Sequence, residues 1–171
     1  RDHGTRVRSL TVMDISPTLK VFESTDQKLA TAYWHWFHML QPAPLPERML
    51  QGIAPYHVLG RVGNVKPDLK AFHKAALAEY ERVYADPRTI HAGCEDYRAA
   101  ASIDLAHDRA DRGKKIAMPV LALWGARAVV GRMFDCLADW REVASDVEGR
   151  AVDCGHFLPE EAPAEVLAEL E

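Results

Sequence analysis

The chain is poor in cysteine, has no long apolar stretch and carries no excess of positive charge. Three cysteines in 171 residues are an odd number spread over a mid-sized chain, which argues against a disulfide framework and for a reducing, cytoplasmic compartment. The longest apolar run, Ile116 to Ala126, has 11 residues and contains Pro119, well short of the roughly 18 needed to span a bilayer. Lys and Arg number 21 against 25 Asp and Glu, a formal net charge of −4. No basic field is therefore offered to a nucleic acid or an anionic membrane. Internal repeats and low-complexity tracts are missing too, as is an initiating methionine: the chain opens at Arg1 and stops at Glu171 within a helical pattern. It reads as a piece of a longer protein, so the lack of a signal peptide carries no weight. What remains, 48% hydrophobic and 27% charged residues, is ordinary globular composition and argues against wholesale disorder.

Three short apolar runs read as buried parallel strands: Val7 to Asp14, Met118 to Gly125, and Arg150 to Cys154. The second is nearly all apolar, as a strand covered on both faces requires. Between the second and third, Met133, Phe134, Leu137, Trp140 and Val143 recur at helical steps. After the third, Glu160, Glu161 and Pro163 mark the start of a last helix. Strand, helix, strand, helix is the pattern of an α/β sheet. The stretch from Leu19 to Ala110 differs, with no convincing strand. Ser24 and Gln27 suggest a capping box ahead of a helix reaching Leu40, which the proline cluster Gln41 to Glu47 ends. Further helices read from Asp68 to Tyr84 and from Arg88 to Leu105. The expected organisation is core at 1–18, a helical lid at 19–110 and core again at 111–171.

Ligands of open α/β sheets bind at the carboxyl ends of the strands. Asp14 closes the first strand and His156 follows the third. A carboxylate that orients an imidazole acting as general base is the acid–base part of a hydrolytic triad. No Gly-x-Ser-x-Gly or Gly-x-Asp-x-Gly occurs, so the nucleophile elbow is missing. His91 and Cys94 have a ligand-like spacing, but no second pair at zinc spacing joins them. No metal and no cofactor is expected. Cys154 reads as a buried, inert thiol, His107 to Lys115 as a solvated hinge, and Arg98 as a partner of Glu95 or Asp96.

Four segments in order, TVMDISPT (Thr11 to Thr18), YWHWFHMLQPAPLPE (Tyr33 to Glu47), CEDYRAA (Cys94 to Ala100) and GHFLPEEAP (Gly155 to Pro163), together resemble the haloacetate (fluoroacetate) dehalogenases, a lidded branch of the α/β-hydrolases. The resemblance implies the C-terminal part of that fold with an inserted helical lid. It implies hydrolysis of short 2-haloacids through a covalent aspartyl ester whose nucleophile lies upstream of Arg1, with Asp2 matching the helix that follows. Asp14 would orient His156, and His156 would activate the water that cleaves the ester. His35, Trp36 and Tyr97 would bind halide through an imidazole N–H, an indole N–H and a phenol O–H.

Neighbours on a regular helix point about 100° apart, so His35 and Trp36 share a pocket only near a helix end or bend. Trp34 and His38 are assigned to packing. The stretch Pro55 to Asn64 lacks a tryptophan that family members often carry, leaving the preferred halogen open. The implied partner is a small haloacid, with no nucleic acid or membrane, and a homodimer is compatible with it. An epoxide hydrolase recruiting Tyr80, Tyr84 or Tyr97, or a non-catalytic binding protein of the same fold, are the competing readings.

Overall fold

A computed structural model describes residues 2–53 and 69–171. The stretch Pro55 to Asn64 and the expected helix start at Asp68 lie outside the described residues. Two compact units divide the chain, one of Arg1–Ser24 with Ala106–Glu171, the other Thr25–Leu105.

The first unit is built on a parallel sheet of three strands among the described residues, β1 (Leu10–Met13), β2 (Val120–Gly125) and β3 (Val147–Val152), in the order β1-β2-β3. Leu10 pairs with Val120 and Met13 with Leu123, while Val120 pairs with Val147 and Gly125 with Val152. The central strand is covered on both faces, and its period-two alternation sorts two cores. Val120 and Ala122 pack on one face with Val130, Cys136 and Trp140. Leu123 packs on the other with Val152, Cys154, Leu158 and Val166. The parallel connection from β2 to β3 runs through two short helices, Val129–Met133 and Cys136–Val143, as such a crossover must. Two more, Leu158–Glu161 and Pro163–Leu170, follow β3.

The third strand starts three residues earlier than its apolar residues suggest. Its burial alternates poorly because Glu148 and Arg150 face outward, Arg150 pairing with Glu169 at 2.7 Å. Gly149 is required here. It lies opposite Ala122 with φ +151°, and a Cβ would fall 1.8 Å from the Ala122 carbonyl oxygen. A further helix, Thr18–Glu23, belongs to the sheet unit rather than to the helical segment in which the sequence places it. Val21 is buried, Lys20 bonds Glu142 at 3.0 Å, and Glu23 pairs with Arg112 at 2.7 Å.

The second unit is helical: Gln27–Ala32, Trp34–Met39, Leu45–Gln51, Lys74–Tyr84 and Pro87–Ala100. Met39, Leu50, Ile90 and Cys94 form its core, with Tyr84 and Tyr97 against them. The single helix expected from Ser24 to Leu40 is two. Asp26, not Ser24, caps the first, its carboxylate accepting from the Leu29 N–H at 2.8 Å. The break falls at Tyr33, whose carbonyl accepts from the Trp36 N–H in a tightened turn and whose ring stacks on Trp36 at 5.2 Å. Likewise the helix read from Arg88 to Leu105 ends at Ala100, and a new one spans Ile103–Ala110. Among the described residues, no helix is long and apolar enough to cross a membrane.

Candidate active site

Asp14 leaves β1 in the left-handed region, φ +51°, a conformation that aspartate tolerates better than most residues. Its N–H still donates to the Leu123 carbonyl at 2.8 Å, so the strand ladder ends on Asp14 and the side chain turns inward. The carboxylate is 2% exposed. Oδ1 accepts from the Gly125 N–H at 3.0 Å and Oδ2 receives His156 Nδ1 at 2.5 Å. Both oxygens of a buried charge are thus satisfied, as burial demands. The following turn is held from the crossover helix: the Trp140 indole N–H donates to the Ile15 carbonyl at 2.8 Å, and the Ser16 hydroxyl donates to Asp139 Oδ2 at 2.9 Å.

His156 comes from the loop after β3 and is 45% exposed. An ionised carboxylate only accepts, so this contact favours the neutral tautomer that carries its proton on Nδ1 and leaves the Nε2 lone pair free. An imidazole in that tautomer, backed by a buried carboxylate, is suited to take a proton from water. The loop approaches β2 so closely that a Cβ on Gly125 would fall 2.0 Å from the Gly155 carbonyl oxygen. Glu161 accepts from the N–H groups of Gly155 at 2.7 Å and Phe157 at 3.0 Å. Cys154 is buried, and burial pushes its thiol up to about 11, which leaves it protonated and unreactive near neutrality.

His35, Trp36 and Tyr97 lie together in the helical unit. Both neighbours sit in the first turn of the six-residue helix Trp34–Met39, at the bend their adjacency requires. Tyr97, on the helix Pro87–Ala100, meets the His35 ring edge-on at 6.0 Å and the Trp36 ring at 5.7 Å. His35 is buried. Burial pushes the Tyr97 phenol up to about 12, so it keeps its proton and can donate. Trp34 does not take the packing role assigned to it: it is 40% exposed, with His38 at 6.0 Å.

Beside this cluster, Arg98 bonds the Gln41 carbonyl at 2.9 Å and Glu47 at 2.8 Å, and also pairs with Glu95. Burial alone would raise the Glu47 carboxyl pKa, but hydrogen bonds from Arg98 and His91 outweigh it and hold the group below its ordinary range. Among the described residues, Glu47, His91 and Glu95 form the group with metal-ligand spacing. The Arg98 guanidinium already supplies their counter-charge. The structure also adds Gly125, Ser16, Asp139, Trp140 and Glu161 to the surroundings of the acid–base pair. The sequence offered only weak signals for them, a first-turn acid in the case of Glu161.

No family model matches the chain. It is 33% identical over 163 residues to fluoroacetate dehalogenase of Burkholderia sp, covering 95% of this chain and 54% of that protein. It is 39% identical over 105 residues to soluble epoxide hydrolase of Corynebacterium sp. (strain C12), covering 61% of this chain and 34% of that protein. The chain therefore spans about half the length of the first relative and less of the second. Among solved structures, ALR0039 of Nostoc sp PCC 7120, described as an α/β hydrolase, superimposes with a TM-score of 0.92 at 49% identity. That match covers 99% of this chain and 58% of that one. The parallel strands with flanking helices, and these likenesses, identify the chain as the C-terminal part of an α/β-hydrolase fold and a member of that superfamily.

Proposed function

We propose that the protein carrying this chain hydrolyses the carbon–halogen bond of short 2-haloacids such as fluoroacetate. An aspartate from outside these 171 residues displaces halide from the substrate carbon and forms an ester. His156, oriented by Asp14, then removes a proton from water, which attacks the ester carbonyl and returns the free aspartate with a 2-hydroxy acid. Halide leaves with a growing negative charge, and fluoride leaves poorly unless donors meet that charge. His35, Trp36 and Tyr97 are the proposed donors. The observation that carries the reading is the meeting of these three rings, because the Asp14–His156 pair alone suits almost any α/β-hydrolase chemistry. The 33% identity to a fluoroacetate dehalogenase supports it.

A second reading, epoxide hydrolysis, is favoured by the 39% identity to an epoxide hydrolase and by the Tyr97 phenol, which keeps its proton and could protonate an epoxide oxygen. Fluoride release from fluoroacetate and ring opening of an epoxide, both measured on the full-length protein, separate the two. Trp36→Phe is expected to lower fluoride release by about 10²–10³, the loss of one donor worth roughly 3–4 kcal/mol, while epoxide opening changes little. Epoxide turnover without fluoride release would overturn the dehalogenase reading.

A further inference from the structure

We propose that Glu161 is a positioning residue for His156, holding the backbone on both sides of it so that the imidazole stays on Asp14. The proposal rests on the reading of His156 as the general base. One carboxylate oxygen accepts from the Gly155 N–H at 2.7 Å, and the other from the Phe157 N–H at 3.0 Å. The residue between these two amides is His156. In return the Glu161 N–H donates to the Phe157 carbonyl at 2.8 Å, closing a ring through the start of the helix Leu158–Glu161.

An ordinary capping acid reaches back to the N–H of the N-cap residue alone. Here the second oxygen passes the cap, Phe157, and takes an amide beyond the histidine. Gly155 is shaped for this reach: a Cβ there would fall 2.8 and 2.9 Å from the two Glu161 oxygens. On its other side the Gly155 carbonyl is pressed against Gly125, whose N–H donates to Asp14. Glu161, the histidine loop, Gly125 and Asp14 thus form one closed set of contacts.

An outside hold is needed because His156 is half in solvent. Its own side chain is tied by the Nδ1 bond to Asp14 and an edge contact with Phe157 at 5.1 Å. A ring so exposed keeps one orientation only if its backbone cannot swing. A charged acceptor serving two amides supplies that restraint more strongly than neutral partners would. Glu161 touches neither water nor substrate in this scheme and acts through the histidine.

The test uses the full-length protein with its histidine rings labelled with nitrogen-15, comparing the parent with Glu161→Ala, Glu161→Gln and Glu165→Gln. Glu165 faces Arg150 at 3.6 Å, so its variant removes the same charge from the same region without touching the loop. Asp14→Asn identifies the His156 signals. In the parent, His156 is expected to hold its proton on Nδ1. Glu161→Ala is expected to give a mixture of tautomers and a kcat lowered about tenfold to a hundredfold, the cost of a misplaced catalytic group. KM should fall in step with kcat and kcat/KM should stay within about twofold, since the lost restraint is felt in hydrolysis of the ester, after halide has left.

Glu161→Gln can accept from one amide but turns an NH₂ toward the other, so it should fall between Ala and the parent. If Glu161→Ala does not fold, Gln decides the matter. Glu165→Gln should match the parent. Glu161 variants that melt earlier but keep the parent's tautomer and kcat would overturn the proposal and leave Glu161 a plain helix cap. If the tautomer shifts while the parent turns over no haloacid, the positioning role stands and the proposed reaction fails. Turnover that persists unchanged in the variants fails the positioning role alone.

Discussion

Asp14 combines three demands that few residues could meet together. It must take a left-handed backbone, accept two hydrogen bonds in a fully buried place, and carry charge. Asn keeps the size and tolerates the backbone, but it turns an amide toward His156 Nδ1 and favours the wrong tautomer. Asp14→Asn in the full-length protein is therefore expected to lower steady-state turnover by about 10⁴, with halide release stopping after about one equivalent per enzyme, and with a small change in melting temperature. Its position at a strand end, like that of His156, was legible in the sequence. The holds on its turn were not, because Asp139 and Trp140 lie more than a hundred residues away and read as one polar and one apolar position of an ordinary amphipathic helix.

Tyr97 offers a second check. Its phenol is pushed by burial from 10.0 up to about 12, so the folded state binds this proton more tightly than the unfolded state. Stability from this source is whole below pH 10 and is lost as pH rises toward 12. Tyr97→Phe should flatten that part of the alkaline melting profile.

The strands show how local pattern and tertiary context share the work. The Met118 to Gly125 run was readable because β2 is covered on both faces, and an all-apolar strand has no other soluble home. The start of β3 is hidden in the sequence because its outward Glu148 and Arg150 mask its period, and because nothing local shows that Gly149 lies against Ala122. Gly149→Ala brings a Cβ to within 1.8 Å of a backbone oxygen that cannot move aside. The expected loss is about 3 kcal/mol or more, seen as a lower denaturation midpoint of the full-length protein. The helix breaks at Tyr33 and Ala101 were invisible for a related reason: both sequences continue a good helical pattern through the break. At Tyr33 the bend is accompanied by the stacking of its ring on Trp36 three residues on, in the turn that also brings Trp36 to Tyr97.

Two units and a sheet of three described strands make up a chain that spans 54% of the fluoroacetate dehalogenase it resembles. Among the described residues β1 pairs with β2 on one side and with no strand on the other, and an unpaired edge is an invitation to aggregation. The proposed reaction also takes its nucleophile from residues beyond these. On the proposed reading, the isolated 171-residue chain is expected to release no fluoride and to melt without a sharp cooperative transition, whereas the full-length protein is expected to release fluoride and to melt cooperatively. Halide release by the chain alone, followed with a fluoride electrode, would refute the proposed placement of the nucleophile.

By itself the order of residues determined the α/β class, the helical stretch between two strands, and the two strand ends that carry Asp14 and His156. Those features rest on periodicity and on turn chemistry, which act over a few neighbouring positions. Only the folded chain decided that Asp14 and His156 touch across 142 positions, that Glu161 grips the backbone around the histidine, and that His35, Trp36 and Tyr97 meet. Such contacts depend on strand register and on where a helix stops. Both are settled by burial and hydrogen bonding between distant segments, which no local pattern records.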